Sequence, residues 1–229
     1  MGTSLRVALV SANLGRYDPP TDWPDQIVPA GMTVDVHRFT DANFPPRPKA
    51  MTSRLQCGLL KMFAAWRWVP GYDRYIWIDA SCVPTPITTT WFLDRLGEAD
   101  IAVFRHPDRQ TIKAEVEFML SRMRVPREQY LRSRYEGEWI ADLYTEIRAD
   151  KSYRDDRLYA STAFAYRPTA NMEQMMTQWW ISKSVSCLHD QIAWPYVLWQ
   201  ARCQVNVIED NYLHCPALRY VRNESWKTL

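Results

Sequence analysis

The sequence contains no run of 18 apolar residues, so nothing in it predicts a transmembrane helix. It has only seven glycines and no G-x-G-x-x-G pattern. That disfavours a nucleotidyltransferase, which needs a glycine-rich phosphate loop and two metal-binding acids. The five cysteines (57, 82, 187, 203 and 215) form no C-x-x-C pair and are odd in number. They predict reduced thiols in a cytoplasmic protein, with neither a disulfide framework nor a zinc site. Met1 to Val10 lacks the long apolar core of a signal peptide, and Arg6 stands where a myristoylation signal wants Ser or Thr. Net charge is only +2, too mild to argue alone for a nucleic-acid partner. No segment repeats, none is of low complexity, and none points to a protein partner.

What is present fits one globular domain over residues 1–229. Hydrophobic residues make up 47% of the chain and charged residues 24%, enough core and too little charge for wholesale disorder. Eleven Trp and twelve Tyr are many for this length. Most such rings pack in cores, but sugars and bases also stack on aromatic clefts.

Strand-like and helix-like segments alternate. Leu5–Ala12, Thr33–Phe39, Tyr75–Ile78, Asp100–Phe104, Ala160–Tyr166 and Val205–Ile208 read as short buried strands. Helices are predicted over Ser53–Trp68, Thr88–Leu96 with Gly97 as its C-cap, Ile112–Arg124, 127–148, Asn171–Ser182 and 190–201. Three prolines between 43 and 49 mark a loop. The alternation predicts an α/β fold of three layers around a mostly parallel sheet.

The strongest local signal is Tyr75-Ile76-Trp77-Ile78-Asp79-Ala80-Ser81. An apolar strand delivers a carboxylate at its C-terminal edge, where open α/β sheets bind ligands, and two small residues follow. The plain alternative is an Asp that caps the next turn.

This pattern resembles the centre of GT-A glycosyltransferases, in which an aromatic-aliphatic strand ends in Asp-x-Asp. Here Ser81 stands at the second acid, which puts the usual metal pair in doubt. More narrowly, the chain is similar to a plant and bacterial galactosyltransferase-like branch that reads Trp-aliphatic-Asp without a second acid. Five further blocks match in order: Val10-Ser11-Ala12-Asn13 with Tyr17-Asp18; Phe39-Thr40-Asp41; Lys61 with Pro70-Gly71-Tyr72-Asp73; His106-Pro107-x-Arg109 with Glu115; and Trp179-Trp180 with His189-Asp190-Gln191, where the branch has Arg for His189.

The resemblance implies a GT-A-like hexosyltransferase using a nucleotide-sugar, UDP-sugar above all. Asp79 and Asp190 become the catalytic candidates, Asp190 as general base if the reaction inverts or as a sugar-binding group if it retains. Asn13, Tyr17, Asp18, Arg54, Lys61, Ser81 and Gln191 are placed at the donor, with Arg54, Lys61 and Lys49 facing its diphosphate. His106, Arg109, Glu115, Trp180 and His189 are assigned to the acceptor or sugar pocket. Asp79 and His214 are candidate ligands for Mn²⁺ or Mg²⁺. For each cation the bland alternative is a solvated surface charge, and for Asp190 a helix N-cap.

Two acceptors are open. Five arginines (122, 124, 127, 132 and 134) lie between Ser121 and Arg134 with one acid, Glu128. They form either a solvated helical face or a phosphate-tracking patch. The second case resembles phage glycosyltransferases encoded beside TET-type dioxygenases and implies 5-hydroxymethylcytosine in DNA, reached in the major groove or flipped out. The other acceptor is a glycan. The rival class is a non-catalytic nucleotide- or sugar-binding module, supported by Ser81.

Overall fold

The computed structural model describes residues 4–15, 18–44, 49 and 51–221. Six strands form the main sheet: β1 (Leu5–Asn13), β2 (Met32–Thr40), β3 (Arg74–Ile78), β5 (Ile101–Arg105), β6 (Tyr159–Tyr166) and β7 (Val205–Ile208). Their spatial order is β2-β1-β3-β6-β5-β7. All neighbours pair in parallel except β6, which runs antiparallel to both β3 and β5. The expected α/β fold with a mostly parallel sheet is therefore present, with one reversed strand inside it. A two-stranded ribbon of β4 (Cys82–Pro84) and β8 (Leu218–Tyr220) has no counterpart in the sequence prediction, because three-residue strands carry almost no periodic signal.

Side-chain alternation along the strands builds the layers. Ala8, Val10, Tyr75, Trp77, Val103 and Phe164 face one way, onto α1 (Ser53–Phe63), α3 (Ile112–Met123), α5 (Ile140–Ala149), α6 (Ala170–Val185) and α7 (Asp190–Gln200). Val7, Leu9, Ile76, Ile78, Ala102 and Phe104 face the other, onto α2 (Thr88–Leu96) and the ribbon. Each such side chain is buried, and burial of one of the Val, Leu, Ile or Phe side chains contributes about 1.5–3 kcal/mol. Trp179 and Trp194 stack face to face at 4.6 Å and join α6 to α7.

Two predicted helices change form. The Ser53–Trp68 helix is α-helical to Phe63 and ends in a π-helical turn over Ala64–Trp68. The 127–148 segment is two helices, α4 (Gln129–Tyr135) and α5, broken at Gly137, which takes φ +86°. Only glycine adopts that backbone cheaply, so the break is written in one residue. Among the described residues no helix is long and apolar enough to cross a membrane, and all five cysteines are free.

Candidate active site

The chain runs from β1 to β2 on one side of β1, then crosses to β3 on the other. This reversal of direction opens a crevice beyond the C-terminal ends of β1 and β3, the place where open α/β sheets hold ligands. A cleft of about 600 Å³ lies there. Asn13 closes β1, and Asp79 follows β3 directly. The first turn of α1 (Ser53, Arg54) and that of α7 (Asp190, Gln191) also reach its wall.

The floor is a chain of alternating charges. Lys61 Nζ donates to Asp79 Oδ1 at 3.1 Å and to Asp190 Oδ2 at 3.0 Å. Lys183 Nζ donates to the other Asp190 oxygen, Oδ1, and to the Leu188 carbonyl. The Trp77 indole adds a 2.7 Å bond to Asp79 Oδ1, and Trp179 Nε1 donates to the Asp190 carbonyl. Lys61 and Lys183 are only 3% and 6% exposed, so each must be paired to stay charged.

Burial and pairing compete at every member. For Lys61, burial pulls the pKa down, but Asp190 and Asp79 together outweigh it and the net shift is upward. Lys183 has one carboxylate instead of two; there burial wins and the pKa falls. For Asp190, burial raises the pKa, yet Lys183 and Lys61 overcome it and hold the carboxyl far below the usual range.

A second cluster stands behind His189. The carboxylate of Glu115, 2% exposed, accepts from His189 Nε2 at 2.6 Å and pairs with Arg109 Nε. Burial raises its pKa, but His189 and Arg109 reverse the sign and bring it to about 2. His106 Nδ1 accepts from the backbone N–H groups of Asp108 and Arg109 at 3.2 and 3.1 Å, closing the turn after β5. Burial lowers the His106 pKa. Of these four residues only His189 lines the cleft; Arg109, Glu115 and His106 act on it from behind.

The remaining predicted residues divide in the same way. Asp18, Arg54, Ser81 and Gln191 line the cleft with Asn13, whose side-chain amide donates to the Asp18 carbonyl and accepts from its N–H. Tyr17 lies outside the described residues. Trp180 is half-buried against Phe63 at 6.1 Å and is absent from the cleft wall, as is exposed Lys49. His214 is exposed and also off that wall. Asp79 Oδ1 already meets an ammonium and an indole N–H, and no group of three or more His, Cys, Asp or Glu among the described residues is arranged around a metal ion.

Lys183, Trp77 and Arg134 are wall residues to which the sequence analysis gave no place at the donor site. Lys183 reads as an ordinary basic residue in the last turn of its helix. Its signal was Gly58, a glycine inside a helix with no turn to explain it. Arg134 was visible only as one arginine of the 121–134 run.

No protein-family model matches the chain, and no curated protein matches it. In fold it is similar to mouse xyloside xylosyltransferase 1 in its apo form, at TM-score 0.47 and 8% identity over 89% of this chain and 85% of that one. It is also similar to the bifunctional glycosyltransferase WbbM, at TM-score 0.42 and 10% identity over 89% of this chain. The chain spans 39% of the length of WbbM.

Proposed function

We propose that this protein is a glycosyltransferase that moves a sugar from a nucleotide-sugar, most simply a UDP-sugar, to an acceptor hydroxyl. One observation carries the reading: the Asp79–Lys61–Asp190–Lys183 chain at the sheet's switch point. Four cations (Arg54, Lys61, Arg134, Lys183) and three carboxylates (Asp18, Asp79, Asp190) line the cleft. The excess of positive charge suits a diphosphate, and the α1 N-terminus adds backbone N–H groups aimed at an anion.

The chemistry needs negative charge stabilised on the departing nucleotide. Lys61 and Arg54 supply cations there, so the fixed charges take the part that a metal plays where a second acid is present. Asp190 is a poor general base in this setting, because two ammonium groups hold both its oxygens and depress its proton affinity. Its carboxylate instead orders the lysines and faces the sugar. His189, braced by Glu115, is the better-placed group to take a proton from the acceptor.

DNA as acceptor draws on exposed Arg124 and Arg127. Against it, Arg122 pairs with Glu128 and Arg132 with Glu136, which neutralises two of the five arginines. The test is a thermal-shift screen of UDP-, GDP- and CMP-sugars with and without Mn²⁺, followed by detection of free nucleotide. A rise in melting temperature with one UDP-sugar, and its slow hydrolysis, are expected. Stabilisation by no nucleotide would end the proposal.

A further inference from the structure

Beside the cleft lies a second groove of about 360 Å³, at the low end of the roughly 300–1,000 Å³ of small-ligand clefts. It shares Thr52, Lys183 and Leu188 with the cleft wall, so the two adjoin. Its outer part is made by Glu136, Glu138, Trp139 and Val185.

Trp139 is the unusual member. It is 60% exposed, and neighbouring Val185 is 64% exposed, so an aromatic face and an aliphatic one stand together in solvent. Folding does not account for the indole. Trp139 occupies the N-cap of α5 and makes no side-chain cap bond, where Ser, Asp or Asn would satisfy an N–H. Only its backbone is used, donating to the Ser186 carbonyl. The contiguous apolar patch of Trp139 and Val185 at the rim of a groove is the kind of surface that recognition uses.

The polar groups around the ring narrow the ligand. Glu138 accepts from the Leu188 N–H through Oε2, and Glu136 pairs with Arg132 through Oε1. Glu136 keeps a second carboxylate oxygen without a hydrogen bond among the described residues, and the Glu138 carboxylate also bonds the Cys187 thiol. Carboxylate oxygens only accept, so they suit a ligand rich in hydroxyl donors and oppose one rich in phosphate. A flat apolar ring with acceptors at its edge matches a pyranose, which offers C–H groups on a face and hydroxyls around its rim.

We propose that this groove is the acceptor subsite and that it takes a neutral saccharide, stacked on Trp139 with hydroxyls donating to Glu136 and Glu138. The proposal rests on the glycosyl-transfer reading for the word acceptor, while the saccharide site itself stands on the groove alone.

The test measures binding without turnover. Lactose, cellobiose, maltose and xylobiose are titrated into the full chain and followed by tryptophan fluorescence and saturation-transfer NMR, with a DNA duplex containing 5-hydroxymethylcytosine as the competing ligand. At least one disaccharide should bind, Trp139→Ala should weaken it by about tenfold or more, and Trp139→Phe should retain most of it. UDP binding should be the same in all three proteins. No disaccharide bound by the wild type, equal binding by Trp139→Ala, or DNA binding that Trp139→Ala removes would each overturn the proposal. Loss of the nucleotide signal in the wild type, with saccharide binding intact, would instead strike the glycosyl-transfer reading.

Discussion

Lys183 lies across the space where a side chain at residue 58 would stand. A Cβ on Gly58 would meet Lys183 Cε at 2.5 Å and Cδ at 2.9 Å. Gly58 sits within α1, where Ala would favour the helix by roughly 0.5–1 kcal/mol. The glycine thus gives up helix stability and admits the Lys183 ammonium to Asp190.

Gly58→Ala should therefore lower both stability and activity. The helical gain of roughly 0.5–1 kcal/mol is smaller than the roughly 3–5 kcal/mol lost when a buried ion pair is broken, so the melting temperature should fall. Transfer should fall by about tenfold or more, because Lys183 leaves Asp190 and the charge chain is broken at that end. Parallel thermal denaturation and product assays check both halves.

Asp190 holds two buried ammonium groups at once. Asp190→Asn leaves Lys61 and Lys183 close together with one carboxylate fewer, and should cost about 3–5 kcal/mol of stability. Adding Lys183→Met should recover much of that loss without restoring transfer. A double-mutant cycle in urea reads the coupling between the two positions, and strict additivity would show that the ion pair is energetically idle.

Acid should weaken the fold in part through Glu115. Its folded pKa is about 2, against an ordinary value of 4.5. A depressed carboxylate contributes stability that is full above the unfolded value and lost as pH falls through the folded one. That contribution is on the order of 3 kcal/mol and disappears between about pH 4.5 and 2. Glu115→Gln should be less stable than wild type at pH 7, and the gap should close as pH drops through that window. A constant gap would mean that His189 and Arg109 do not depress this carboxyl.

Much of the fold was legible because strands such as Leu5–Asn13 are continuous apolar runs and helices such as Thr88–Leu96 carry their own stop signal. The reversal of β6 was not legible. Its apolar run is the same in either direction, and strand direction depends on the path of the 53 residues between β5 and β6, residues 106–158. For the site, Asp79, Lys61 and Asp190 were each visible at an element end or on a helix face. Their meeting was not, since residues 61 and 190 lie 129 positions apart. His106, Arg109 and Glu115 were assigned to the same pocket as His189, and spacing could not tell that they stand behind it. The exposure of Trp139 was hidden among eleven tryptophans that read alike in one dimension.

The central claim is that the cleft at β1 and β3 holds a nucleoside diphosphate on fixed cations. Calorimetric titration of UDP and GDP, in Mn²⁺ and again in EDTA, measures this most directly. The account predicts saturable, single-site binding of UDP that persists in EDTA and weakens about tenfold or more in Arg54→Ala, a part-exposed residue whose loss leaves the core intact. Absence of saturable binding of either nucleotide in both buffers would contradict it.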